Sequence, residues 1–364
     1  MATIELPATS GPGGGGTSLR SRLRRLADAA VTPLDIDDVL DVFHPLRAGA
    51  DLRARIVSVT AETAESATVL LKPGRDWNGH LPGQYVRVGV DVDGVRLWRA
   101  YSVTSAPGRL SVTVNAVKDG AVSNHLIRHA RRGMLVNLDQ PAGDFTLPAT
   151  RPEKILFVTA GSGITPVMGM LRSALHELED VVLVHSAPHP EAVVFGEELR
   201  GLAAQGRIRL VERHTRTDGR ITPETLAETV PDLWERETWA CGPNDLLDAM
   251  TAHWSRAGVA EKLHVERFRP TFVVTGDGGK VTFEKTGTVV DADGAVPILE
   301  AAESAGMLMP SGCRMGICFK CVLPLREGAI RDLRDGSLTI AAEGDNVKVQ
   351  TCISAAAGPC HIDF

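Results

Sequence analysis

Four cysteines near the C-terminus constrain this chain more than any other feature: Cys313, Cys318 and Cys321 in the run SGCRMGICFKC, and Cys352 in QTCIS. The spacing C-x4-C-x2-C with a distant fourth cysteine is the ligand pattern of a plant-type [2Fe–2S] cluster. Two irons need two thiolates each. A tight loop can bring three of them, and a returning strand must bring the fourth. Gly312 and Gly316 let the backbone wrap closely and aim N–H groups at the sulfurs. A structural zinc site favours paired short C-x2-C spacings instead. Such a cluster carries one electron and makes no bonds, so another part of the chain must deliver that electron.

The rest of the composition suits a redox protein in a reducing compartment. Four of the six cysteines go to iron, leaving Cys241 and Cys360, which is no disulfide framework. The net charge of −6 argues against nucleic-acid binding. No secretory signal is legible and no apolar run reaches bilayer length, so a cytoplasmic protein is expected. At 364 residues there is room for two or three domains, each with its own core.

Residues 1–50 read as an arm. GPGGGG is expected to be disordered. SLRSRLRRLADAA then spaces Leu19, Leu23 and Leu26 at helical intervals among Arg20, Arg22, Arg24 and Arg25. A basic amphipathic helix can rest on anionic lipid, but one this short more often packs on its own domain with a solvated basic face. From 51 to 150 the pattern has period two. ADLRARIVSVTAET, SATVLLKPG, GQYVRVGVDV, LWRAYSVTSA and RLSVTVNAV are strands of an antiparallel barrel. From 151 to 268 the strands ILFVTAG, VVLVHSA, IRLVERHT and TWACG alternate with helices, which predicts a doubly wound parallel sheet. A linker, 269–279, leads to the cysteine-bearing segment, 280–364.

Arg99-Ala100-Tyr101-Ser102, preceded by Pro82-Gly83-Gln84-Tyr85, resembles the flavin-binding motif of the ferredoxin–NADP reductase family. The residue types fit that chemistry. A tyrosine ring can stack on an isoalloxazine, a serine hydroxyl can bond near its N5, and an arginine can pair with the pyrophosphate of FAD. Lys118-Asp119-Gly120, with Ser123 and Asn124, opens a helix whose first N–H groups can take phosphate. In the next domain Ala160-Gly161-Ser162-Gly163-Ile164-Thr165-Pro166 forms a strand-to-helix turn suited to a dinucleotide. Cys241-Gly242-Pro243 follows a later strand. The same resemblance implies that Cys241 lies near the nicotinamide C4; otherwise it is a small buried filler.

Thr215 and Arg216 offer a hydroxyl and a guanidinium for the 2′-phosphate of NADPH. HSAPHP also lacks an acidic residue directly after its strand, where NADH enzymes often bind the ribose. NADPH is therefore expected over NADH. His125 and His129 stand four apart on one helix but lack a third ligand, so they read as surface or phosphate-side residues.

After the arm, the domain order is similar to reductases with a flavin barrel, a nicotinamide domain and a plant-type ferredoxin. VTPLDIDDVLDVFHPL, HVERF, CRMGIC and CVLPL look like the actinobacterial reductases of membrane stearoyl-CoA (acyl-CoA) Δ9 desaturases. The resemblance implies a multidomain chain: an antiparallel flavin barrel, an α/β nucleotide domain and an α+β β-grasp ferredoxin. It implies electrons passing from NADPH through FAD to the cluster, with Ser102, Thr165 and Cys241 at the reacting ring. The expected acceptor is a membrane di-iron desaturase; the alternative is a soluble oxygenase of the Rieske or acyl-CoA epoxidase type. The arm could then also touch the membrane. A redox sensor that uses the cluster as a switch would not need the flavin and nucleotide motifs.

Overall fold

A computed structural model describes residues 36–364 except 93, 118, 119, 269–271 and 273. The basic run at Arg20–Arg25, and Lys118 and Asp119, lie outside the described residues.

The first unit holds α1 (Ile36–Phe43), β1 (Arg53–Thr63), β2 (Ser66–Pro73), β3 (Tyr85–Val92), β4 (Val95–Ser102), β5 (Leu110–Asn115), α2 (Ala121–Arg128) and β6 (Leu135–Leu138). Its six strands pair antiparallel in the order β4-β3-β6-β1-β2-β5. A bridge between Val103 and Val112 joins the two ends and closes the barrel. Alternation sets the faces: Ala54 and Ile56 point inward from β1 while Arg55 and Val57 point out. The interior is aliphatic, with Val86, Val88, Leu97, Val112 and Leu126 all buried.

The second unit runs β7 (Lys154–Ala160), α3 (Ile164–Ala174), β8 (Asp180–Ala187), α4 (Gly196–Ala204), β9 (Arg209–His214), α5 (Pro223–Thr229), β10 (Glu237–Cys241), α6 (Asn244–Arg256) and β11 (Leu263–Glu266). All five strands are parallel, in the order β11-β10-β7-β8-β9. Strands buried on both faces must be apolar throughout, and β7 shows this. Phe157 faces the core made with α3 and α4, while Leu156 and Val158 face that made with α5 and α6. The strand order reverses between β7 and β10, so their C-terminal ends open a crevice.

The third unit holds β12 (Gly279–Phe283), β13 (Thr288–Ala292), α7 (Ile298–Ser304), β14 (Val322–Asp332), β15 (Leu338–Ala341), β16 (Val347–Gln350) and β17 (Ser354–Ile362). β17 lies between β12, to which it is parallel, and β14, to which it is antiparallel. Ile298, Leu299 and Ala302 of α7 pack on this mixed sheet beside Phe283 and Leu325. The long loop from α7 to β14 carries three of the cysteines, and the turn before β17 carries the fourth. Among the described residues no helix is long and apolar enough to cross a membrane.

Candidate functional site

The cysteines stand in two pairs. The Cys313 N–H donates to Cys318 Sγ over 3.1 Å, and the Sγ atoms of Cys321 and Cys352 are 3.2 Å apart. The members of each pair shift one another in opposite directions. Cys318 is brought down to about 5, first by the hydrogen bond from Cys313, while Cys313 is pushed up by the same bond and by burial. Cys321 is held at about 7, chiefly by Cys352, which is pushed up in turn. Two close pairs divide four ligands as two irons require. Backbone N–H groups of Met315 and Ile317 point at Cys313, that of Lys320 at Cys318 and that of Gly316 at Cys352. Gly312 is needed here, since a Cβ on it would sit 2.3 Å from Cys318 Sγ. The residues fit a [2Fe–2S] cluster.

The loop rests on the flavin barrel. The Trp98 N–H donates to the Ser311 carbonyl at 3.3 Å, and Arg99 donates to Ser311 Oγ at 3.2 Å and to the Trp98 carbonyl at 2.7 Å. Lys320 lies over the Trp98 ring, 5.1 Å from its centroid. Leu308 packs against the barrel core. Arg99, the residue expected to pair with the FAD pyrophosphate, donates here to the cluster loop. Burial is the dominant cause that lowers its pKa to about 10. A buried guanidinium must find acceptors, and these two are within its reach.

Tyr101 and Ser102 end β4. Burial pushes the Tyr101 phenol up, so it stays neutral. Ser102 Oγ is buried without a hydrogen-bond partner among the described residues, which leaves one polar atom for an isoalloxazine edge to satisfy. Ala100 pairs with Arg87 on β3. Gly120 caps α2 with no side-chain hydrogen bond, leaving N–H groups available for phosphate. Ser123 is occupied locally: its hydroxyl accepts from Val117 N–H at 3.3 Å and donates to the Gly120 carbonyl at 3.2 Å.

Across the crevice the two glycine loops touch. A Cβ on Gly163 would sit 2.0 Å from the Cys241 carbonyl, so the turn after β7 packs directly on Cys241-Gly242-Pro243. Gly161 has φ +55°, a left-handed conformation that favours glycine. Thr165 Oγ1 donates to the Ser162 carbonyl at 2.9 Å, and Pro166 lies in the first turn of α3, where its missing N–H costs nothing. Cys241 is fully buried, and burial holds its thiol well above the usual range, so it is no nucleophile. α3 also abuts the barrel, for a Cβ on Gly169 would meet the Val103 carbonyl at 2.3 Å. That seats the crevice beside Ser102. Thr215 and Arg216 lie farther along the same edge: their N–H groups bond the carbonyls of Ala187 and Pro188, at the end of β8.

Two residues at this junction were given no role by sequence reasoning. Glu266 pairs with Cys241 across β10 and β11, and its Oε2 is sealed from solvent with no partner among the described residues. Burial raises its carboxyl to about 8. The HVERF run held the only signal, an acid on the last strand of a buried sheet. Burial raises the Tyr85 phenol first, with the cluster cysteines and Glu266 adding to the rise and Arg87 opposing it. Tyr85 marks where cluster, barrel and crevice converge.

Residues 56–147 match the family described as the oxidoreductase FAD-binding domain, 157–252 the oxidoreductase NAD-binding domain, and 281–357 the 2Fe-2S iron-sulfur cluster binding domain. The chain is 45% identical over 353 residues to the NADPH oxidoreductase of Mycobacterium tuberculosis (strain ATCC 25618 / H37Rv), covering 94% of this chain and 92% of that protein. It is 32% identical over 273 residues to the ferredoxin reductase component of the 3-ketosteroid-9-alpha-monooxygenase of Mycobacterium tuberculosis, with 69% and 76% covered. Among solved structures it is similar to phthalate dioxygenase reductase, with a TM-score of 0.56 at 22% identity over 86% of this chain and 97% of that one.

Proposed function

Since the chain belongs to the ferredoxin-reductase-type flavoproteins with a C-terminal [2Fe–2S] domain, we propose that it carries electrons from NADPH to a membrane di-iron acyl-CoA desaturase. The observation that carries the electron-transfer reading is the seating of the cysteine loop on strand β4, through Ser311, Arg99 and Trp98. FAD, when bound, supplies the conversion of a two-electron hydride into single electrons. Tyr101 and Ser102 hold its ring, and Gly120 and Ser123 shape its phosphate site. Gly161, Gly163, Thr165 and Pro166 receive the nucleotide, and Cys241, Gly242 and Pro243 border the nicotinamide as a neutral, space-filling wall. Thr215 and Arg216 grip the 2′-phosphate. Thiolates of Cys313, Cys318, Cys321 and Cys352 hold the cluster.

The desaturase as acceptor rests on the runs VTPLDIDDVLDVFHPL, HVERF, CRMGIC and CVLPL, which look like reductases of that system. The basic arm, Arg20 to Arg25, suits a partner that lies in a membrane. A second reading is favoured by the relatives named as monooxygenase components: electrons would then go to a soluble oxygenase. Purified protein with NADPH should support acyl-CoA desaturation by a membrane desaturase while a soluble oxygenase receives no electrons. The reverse result would establish the second reading.

A further inference from the structure

The outer face of strands β1 and β2 carries a cation cluster that the electron path does not use. A groove of about 500 Å³ runs between the segment after α1 and strands β1 and β2. Its walls include Arg55, Lys72 and Arg75 with Phe43, Leu46 and Pro73, and no carboxylate lines it. Arg55 and Lys72 are direct cross-strand partners, so two like charges face each other on one side of the sheet. That arrangement costs stability unless an anion offsets it. Among the described residues neither Lys72 nor Arg75 has an ion-pair partner, and the Arg55 side chain reaches only the Gly133 carbonyl. The chain as a whole is acidic, at −6, so this face runs against the average.

Apolar side chains surround these charges. Val42 and Phe43 at the end of α1 are 76% and 73% exposed. Leu135, the other cross-strand partner of Arg55, is exposed, as are Val57 and Met134. Arg131 and Arg132 stand on the turn whose Gly133 meets Arg55. One acid stands close by, Asp41 of α1, which pairs with Arg47 of the groove at 2.8 Å and leaves Arg55, Lys72 and Arg75 without a carboxylate among the described residues. Exposed apolar groups next to such cations are the composition of a surface that settles on lipid: the apolar tips enter the headgroup layer and the cations meet its phosphates. In the sequence, residues 1–35 precede α1 and include Arg20, Arg22, Arg24 and Arg25.

We propose that this face of the barrel docks on an anionic lipid bilayer, extending to the folded domain the contact suggested above for the arm. Its occupant is the bilayer surface, whichever protein accepts the electrons. The full-length holoprotein should co-sediment with phosphatidylcholine vesicles containing phosphatidylglycerol, and release at high salt. Pure phosphatidylcholine vesicles should leave it in solution. The variant Arg55→Glu/Lys72→Glu/Arg75→Glu should bind anionic vesicles at least about a hundredfold more weakly, since each lost cation weakens attraction to such a surface. It should keep wild-type NADPH–ferricyanide turnover. Should the triple variant fold poorly, Val42→Ser/Phe43→Ser tests the same face without touching the sheet and should weaken binding severalfold. Equal binding to neutral and anionic vesicles would overturn the proposal. So would wild-type binding by the variants, or binding lost only when the four arm arginines are neutralised. None of these outcomes bears on which acceptor is reduced, so the acceptor assay stands or falls separately.

Discussion

Replacing Cys318 with serine exchanges a soft thiolate for a harder, poorer iron ligand. Cys318→Ser should lose cluster absorption and cytochrome c reduction but keep ferricyanide reduction from the flavin; unchanged iron content would sink the ligand assignment. Cys360→Ser, by contrast, should leave the cluster spectrum intact. Glu266 yields a pH prediction. Its carboxyl holds its proton to about pH 8 when folded, against 4.5 as the ordinary value. As pH rises between those values the unfolded chain loses a proton that the folded chain keeps, so stability falls across that window. The fall is at most about 5 kcal/mol, at 1.36 kcal/mol per pKa unit. Glu266→Gln should remove this slope, and urea unfolding at pH 5 and pH 8.5 measures it. A constant offset between variant and wild type would show that Glu266 is not titrating. Arg216→Ala should cut kcat/KM for NADPH by about one to two powers of ten, from the loss of a charge-assisted contact of roughly 1.5–3 kcal/mol. The NADH value should barely move, and equal falls for both nucleotides would leave Arg216 as a loop support only.

At the scale of elements, the contact between the turn after β7 and the loop after β10 leaves no room for a methyl group. Gly163→Ala should destabilise the nucleotide domain by about 1–3 kcal/mol, because the obstacle is the Cys241 backbone and cannot rotate away. Nucleotide affinity should drop with it; denaturant midpoints and NADP titration together test both, and a variant as stable as wild type would mean the loops part easily. Elements were legible in the sequence where β-branched residues alternate over six or more positions, as in β3, with Val86, Val88, Val90 and Val92. β6 and β11, with four residues each, were too short to show a period, although β6 joins the two halves of the barrel and β11 carries Glu266. The four candidate ligands were legible because three of them sit in one short C-x4-C-x2-C run; which cysteines stand together was not, since Cys352 lies 31 positions from Cys321. The partner of Arg99 was not: Ser311 lies 212 positions away, and no pattern in RAYS or PSGC encodes their meeting. A buried guanidinium takes whatever acceptors the tertiary structure offers, and only the docked third domain supplies this one.

For the molecule as a whole, the seam between barrel and ferredoxin should govern how fast the cluster fills. Ser311→Ala/Lys320→Ala removes the Arg99 hydrogen bond and the cation held over Trp98. Losing a hydrogen bond to a charged group and a cation–π contact weakens docking by roughly 2–4 kcal/mol. After rapid mixing with NADPH, flavin bleaching should keep its rate while cluster reduction slows at least about tenfold, with iron and flavin contents unchanged. An unaltered cluster rate would mean the seam is incidental. Because donor and receiver share one chain, the receiver's effective concentration at Trp98 is fixed by the linker and not by how much protein is present. Internal transfer is then first order and indifferent to dilution, whereas the hand-off to a separate acceptor is second order. In a dilute solution the cluster fills and waits, and the throughput of the whole chain is set by how often an acceptor collides with it.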